Sequence, residues 1–346
     1  MIPIRNIYYM LSYAFRVLNE QGYKRFAAEE FNNVADLCAA ILSQGVSNLI
    51  KRGLGREYIE QTEPLSSVRG KIDVSASIKD KTLLKKQLVC TYDDFSVNAY
   101  MNRIIKTTMI ALIKADISSD RKKSLRKLLV YFGEVDTLDV YTINWQQQYN
   151  RNNQTYQMLI YICYLVMKGL LQTDKNGNTK MMDFLDDQKT HRLYEKFILE
   201  YYRKEHKELK ASSSQIEWVL DDENSNMLPA MQSDIMLEKG NQILIIDAKY
   251  YSHTTQTQFD KHTVHSGNLY QIFTYVKNKE AALKDTEHKV SGMLLYAKTD
   301  ETVQPDETYH MSGNIISVKI LDLNLEFSEI AVQLDTIAEK YFTKSA

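Results

Sequence analysis

The chain has 346 residues, 44% hydrophobic and 25% charged, with a net charge of -1. That balance argues against a disordered or membrane-embedded chain, and the length suggests two domains that each bury a core. A near-neutral chain leaves any nucleic-acid binding to local patches: KDKTLLKK (79 to 86) and DRKKSLRKLL (120 to 129) are basic, MMDFLDD (181 to 187) and LDDEN (220 to 224) acidic.

In chain order, MIPIRNIYYMLSYAFRVLNE carries charges and no small-residue cleavage pattern, so it reads as a structural helix rather than a signal peptide. Apolar residues recur at helical spacing over 4 to 19, 29 to 51, 98 to 115, 120 to 132 and 151 to 171, while GREYIEQTEPL, QLVCTYDDF and LDVYTI look extended. Cys38, Cys90 and Cys163 are odd in number, far apart and set among apolar neighbours, which speaks against disulfides or a zinc knuckle and fits a reducing cytoplasm. No apolar run is long enough to span a bilayer. The turn-rich, acidic segment Gln172 to Lys189 is the expected boundary, giving domains 1 to 180 and 181 to 346. Beyond it come a helix over 190 to 208, strands near 215 to 220, 231 to 238 and 242 to 249, and a helix near 267 to 281. Strands near 289 to 297 and 313 to 321 and a helix over 327 to 342 complete the order. This predicts an α/β core, a mixed sheet flanked by helices, after a mainly helical N-terminal domain with some strands.

The chemistry centres on MQSDIMLEKGNQILIIDAKYY, 231 to 251. A two-residue hairpin turn on Gly240-Asn241, residues that tolerate positive φ, pairs Glu238 with Ile243, Met236 with Ile245 and Asp234 with Asp247. The two carboxylates would then sit with Cβ atoms roughly 4.5 to 5.5 Å apart, a destabilising arrangement unless a cation lies between them or one is protonated. Strand alternation puts Lys249 on the same face as Asp247. Two hard carboxylate ligands on a rigid sheet suit Mg²⁺, and such a cluster can hydrolyse a phosphodiester. The plainer reading is a strand-end aspartate beside a simple ion pair.

These residues resemble the PD-(D/E)XK nuclease motif, in the form Ser233-Asp234 and Asp247-Ala248-Lys249, with serine where proline is usual. Nearly the whole chain is similar to the McrC family, the nuclease subunit of the McrBC restriction system that cuts DNA carrying 5-methylcytosine. The shared blocks are IPIRNIYYMLSYAF, RGKIDVSASI, DDFSVNAYMNRIIKTTM, LYEKFILEYYRKE, the DAKYY strand and HSGNLYQIFTYV. The resemblance implies that the N-terminal domain engages and stimulates an McrB-type GTP-hydrolysing AAA+ ring, which reads the modified base on double-stranded DNA, and that the C-terminal domain cuts. The chain shows no GxxxxGK[ST] loop of its own.

The resemblance also draws in Glu195, an acid on the helix before the sheet that can assist the metal, and Gln271 and Tyr275, a Q-x-x-x-Y pair that helps hold DNA or the lysine. His265 and Lys261 would approach the DNA backbone, while His253 and His262 lack the partners of a structural zinc site. Each has a bland counterpart: a solvated helix glutamate, a satisfied core glutamine, a packing tyrosine. Arg5, Asn6, Arg69, Asn102 and Arg103 lie in shared blocks as structural or motor-facing residues. The sequence thus reads as a cytoplasmic Mg²⁺-dependent endonuclease subunit with Asp234 and Asp247 as metal ligands and Asp234, Asp247, Lys249, Glu195 and Gln271 as its catalytic set. Cutting both strands is compatible with a homodimer through the nuclease domain. A non-catalytic activator of the motor and a stand-alone DNA repair nuclease are the rival readings.

Overall fold

The computed structural model describes residues 2–20, 22–176, 188–222, 224–251, 255–258 and 261–342. The chain divides into two units, Met1–Ala27 with Thr179–Ala346, and Ala28–Asn178. One break thus falls beside the expected boundary, but the first 27 residues pack with the later half. Helix α1 (Ile4–Ala14) shows why: Asn6 is buried, and its Nδ2 donates to the carbonyls of Leu323 at 2.9 Å and Leu325 at 2.7 Å. A buried amide left unpaired would cost about 1–3 kcal/mol, so these bonds fix where α1 lies. The Tyr9 ring stacks on Phe327 at 4.3 Å, and the Tyr8 hydroxyl donates to the Tyr23 carbonyl. The helix expected over 4 to 19 breaks at Phe15, which is extended, and resumes as a 3₁₀ turn, Arg16–Asn19.

In the unit Ala28–Asn178, α2 (Val34–Arg52) starts where the Asn33 side chain accepts from the Asp36 N–H and stops at Gly53, whose φ of +90° favours glycine. Strands β1 (Glu57–Leu65) and β2 (Lys71–Asp73), helix α3 (Val74–Lys79) and strand β3 (Leu88–Ser96) follow. The strands form an antiparallel sheet of order β1-β3-β2. Helices α4 (Tyr100–Lys114), α5 (Ser119–Leu129) and α6 (Gln154–Asn176) complete the unit. Its core comes from α2, α4 and α6, with Leu37, Ile41, Ile105, Met109, Leu159 and Ile162 buried; all three cysteines are buried and free. Asn102 is fully buried, donating to the carbonyls of Gly55 and Val97 and accepting from the Tyr156 hydroxyl. Arg69 lies 4.0 Å from the centre of the Tyr92 ring and pairs with Asp94. LDVYTI is not a strand: the Asp139 side chain accepts from the Tyr141 N–H and its carbonyl from the Thr142 N–H, closing a turn. The boundary segment is helical to Asn176, and 177–187 lie outside the described residues.

The other unit continues with α7 (Gln188–Glu205), β4 (Lys210–Ser212), β5 (Gln215–Ile216), β6 (Met231–Gln232), β7 (Ile235–Lys239) and β8 (Gln242–Lys249). After β9 (Thr255–Gln258), β10 (Lys261–Val264) and α8 (Ser266–Ala282) come β11 (Lys289–Ala297), β12 (Glu307–Met311), β13 (Asn314–Leu321) and α9 (Phe327–Phe342). A six-stranded sheet runs β12-β13-β11-β8-β7-β4, with β8, β11 and β13 parallel and the other pairs antiparallel. The mixed sheet is as expected; the short strands β4, β9, β10 and β12 were not foreseen. One face packs Met236, Ile243, Ile245, Leu294 and Ile316 against Ile272 and Val276 of α8. A Cβ on Gly292 would stand 2.8 Å from Val276 Cγ2 and 2.9 Å from Ile272 Cγ1, so glycine lets the helix lie this close. No helix among the described residues is long and apolar enough to cross a membrane.

Candidate active site

The β7–β8 hairpin turns on Gly240 and Asn241, Gly240 at φ +59°, with Lys239 opposite Gln242 and Ile235 opposite Ile246. The register is the one the turn predicts. Asp234 stands one residue before β7, and its Oδ2 accepts from the Ala248 N–H at 2.9 Å, so it turns toward the end of β8. The surroundings of Ser233 favour serine over proline. It is fully buried, its N–H donates to the Ser214 carbonyl, and its hydroxyl bonds the same residue's backbone; proline could supply neither.

Asp247 is 1% exposed and the Lys249 side chain 9%, with Lys249 Nζ 2.8 Å from Asp247 Oδ2. That approach is off the angle of a good hydrogen bond, and the buried Oδ1 has no donor among the described residues. Lys249 Nζ donates to Gln271 Oε1 at 3.3 Å, and Gln271 Nε2 donates to the Tyr275 hydroxyl at 2.8 Å. With its N–H side engaged by Tyr275, Gln271 must present its oxygen to the lysine. Tyr275 is buried and meets the site through Gln271.

Burial and the charges of Asp247 and Glu195 push the Asp234 carboxyl up to about 8, against the pull of Lys249. Burial alone would lower the Lys249 ammonium, but Asp247 and, behind it, Asp234 raise it, so it keeps its proton at neutral pH. Glu195, on α7, is 27% exposed, and its Oε1 accepts from His191 Nδ1 at 2.6 Å. Among the described residues no three His, Cys, Asp or Glu side chains could together hold a metal ion. Two carboxylates can suffice for Mg²⁺, which keeps several waters and takes phosphate oxygens. The Asp247 oxygens, buried without an N–H or hydroxyl donor among the described residues, and an Asp234 proton that a cation would displace fit that group.

His265 is the residue before α8, half-buried, with its ring 5.8 Å from Tyr251. Lys261 opens β10, but its side chain, like that of His262, lies outside the described part, as does all of His253. Sequence reasoning missed three groups here: His191, one helical turn before Glu195; Tyr251, which continues the alternation of Asp247 and Lys249; and Tyr296, beside Lys249 in the ladder, whose hydroxyl accepts from Asn268 Nδ2. The H-x-x-x-E spacing and the period of two were the available signals.

Comparison with known proteins adds a family. The model of the McrBC 5-methylcytosine restriction system component family matches residues 4–297. The Type IV methyl-directed restriction enzyme EcoKMcrBC of Escherichia coli (strain K12) is 29% identical over 346 residues, covering 98% of each chain. Two solved assemblies from Thermococcus gammatolerans are more distant. McrC bound to McrB AAA+ hexamers aligns over 97% of this chain and 76% of that one, at 15% identity and a TM-score of 0.47. The McrBC complex aligns over 51% and 60%, at 16% identity and 0.35.

Proposed function

Because the chain belongs to the McrBC 5-methylcytosine restriction system component family, we propose that it is the cutting subunit of a modification-dependent restriction system. It would act as a Mg²⁺-dependent endonuclease on double-stranded DNA carrying modified cytosine. The observation that carries this reading is the buried end of β8, where Asp247 and Lys249 pair at 2.8 Å beside Asp234 and Asp247 Oδ1 has no donor among the described residues.

Asp234 and Asp247 would hold Mg²⁺, which when bound neutralises phosphate charge and makes water a better nucleophile. Asp234, its carboxyl held well above the usual range in the metal-free protein, would give up its proton on loading. Lys249 is a fixed cation: it orients the attacking water and offsets negative charge gathering on the phosphate oxygens. Gln271 holds Nζ in place, and Tyr275 fixes which way the amide faces.

The unit Ala28–Asn178 would engage the GTP-hydrolysing AAA+ partner. Supporting this, its small sheet presents Tyr58, Ile72 and Phe95 to solvent, α3 presents Val74 and Ile78, and the segment after α3 presents Leu84. Tyr58 and Phe95 lie ring to ring at 5.0 Å, and adjoining exposed aromatics of that kind suit an interaction surface.

The deciding experiment is Asp247→Ala in the full chain, assayed with its partner on methylated DNA. Cleavage should fall roughly 10²- to 10³-fold or more, as for removal of a group that stabilises transition-state charge, while stimulation of GTP hydrolysis persists. Undiminished cleavage would refute the site. Loss of both activities in a folded variant would refute the division of labour, and a wild-type complex that never cuts, with or without Mg²⁺, would leave only an activator.

A further inference from the structure

We infer that His191 is a positioning residue of this site, acting through Glu195 and seated on Tyr251; the inference rests on the nuclease reading above. His191 and Glu195 are i, i+4 on α7, 20% and 27% exposed, and the imidazole Nδ1–H donates to Oε1 at 2.6 Å. Without that bond a partly exposed glutamate would sample several rotamers. The imidazole ties off one carboxylate oxygen and leaves Oε2 with its lone pairs.

The imidazole is itself held. The Tyr251 ring lies 5.6 Å from it at 49°, and the same ring meets His265 at 5.8 Å and Tyr296 at 6.2 Å. Tyr251 stands two residues past Lys249, and Tyr296 is the ladder partner of Lys249, so these rings adjoin the lysine that serves the site. The charge of Glu195 also helps to raise the Asp234 carboxyl. As a purely structural pair, a partly exposed i, i+4 contact adds little to helix stability. A pair held this carefully for so little stability is better explained by what it aims.

The test compares His191→Ala, His191→Gln, Glu195→Gln and the double variant His191→Ala/Glu195→Gln in the full chain. Cleavage with the partner, Mn²⁺ binding to the metal-free chain and thermal melting are the readouts. His191→Ala and Glu195→Gln should each lower kcat about 10- to 100-fold, the usual loss for a partner that orients a site group. The double variant should lose no more than the worse single one, because the two act as a unit. His191→Gln, which keeps a donor at the same spacing, should recover most of the loss, and melting should move little.

Additive losses, full activity of His191→Ala beside a crippled Glu195→Gln, or failure of the glutamine to rescue would overturn the inference. So would a loss of Mn²⁺ affinity in His191→Ala far beyond that in Glu195→Gln, which would make the imidazole itself a ligand. Asp247→Ala in the same assay separates the two levels: if it cuts normally, the nuclease reading has failed rather than this one.

Discussion

The two sheets break the usual partition of residues in opposite directions. The six-stranded sheet buries charge, Asp247 and Lys249, at the end of an otherwise apolar strand. The three-stranded sheet and the segment beside it expose hydrophobic side chains, Tyr58 at 75% and Leu84 at 83% among them. Neither departure stabilises an isolated chain: buried ions lose hydration, and exposed apolar surface forgoes burial. On the proposed function each would be matched by something outside the chain, a cation and a phosphate in one place and a protein surface in the other. Local violations of folding rules are therefore the most informative residues here.

The largest expected effect sharpens the first half of that contrast. Lys249→Met keeps the length of the side chain and removes its charge, and should lower kcat for DNA cleavage roughly 10²- to 10³-fold with DNA binding nearly unchanged. A variant that still cuts at the normal rate would reduce the buried ion pair to architecture. The second half is probed by Tyr58→Ala with Phe95→Ala, a cross-strand pair whose rings lie 5.0 Å apart. Affinity for the AAA+ partner should fall about 10- to 100-fold, equivalent to about 1.4–2.8 kcal/mol, with cleavage lost only at limiting partner concentration. Unaltered affinity would mean that the exposed apolar face serves something else.

The smallest effect concerns stability. Unfolded, Asp234 ionises near its ordinary 3.8; folded, it holds its proton to about 8. Between those values the unfolded chain releases a proton that the folded one keeps, so the metal-free protein should lose stability as pH rises through this window. Asp234→Asn should flatten that decline and, at pH 8 in chelator, raise stability by roughly 0.5–2 kcal/mol, as relief of a functional compromise commonly does. Melting curves against pH would show it; a steeper decline in the variant would contradict the placement of the charges.

The hairpin was legible because one turn and a period of two determine everything along it. Gly240 and Asn241 set the register as far as Ile235 opposite Ile246, Asp234 follows just beyond and takes the Ala248 N–H beside Asp247, and alternation adds Lys249. The Gln271–Tyr275 contact was legible for the same kind of reason, a helical spacing of four. What stayed hidden depended on partners far away in sequence. Nothing local in the first helix says that it belongs with the last third of the chain. LDVYTI alternates like a strand, yet Asp139 binds its own neighbours and closes a turn before any partner strand is reached. His191 sat at a readable distance from Glu195, but only the ring of Tyr251 beside it gives that spacing a meaning.

The bonds from Asn6 to the carbonyls of Leu323 and Leu325 bear on how the protein is made. They join residues 317 and 319 positions apart, so α1 leaves the ribosome long before its docking site exists. At about 5–20 residues per second the wait is roughly 15–60 s, during which Ala28–Asn178 can complete itself. The cutting unit closes last, when both ends of the chain are available. If the proposed division of labour holds, a nascent or truncated chain would carry a finished partner-binding unit without a finished nuclease, an order that would suit an enzyme able to damage DNA.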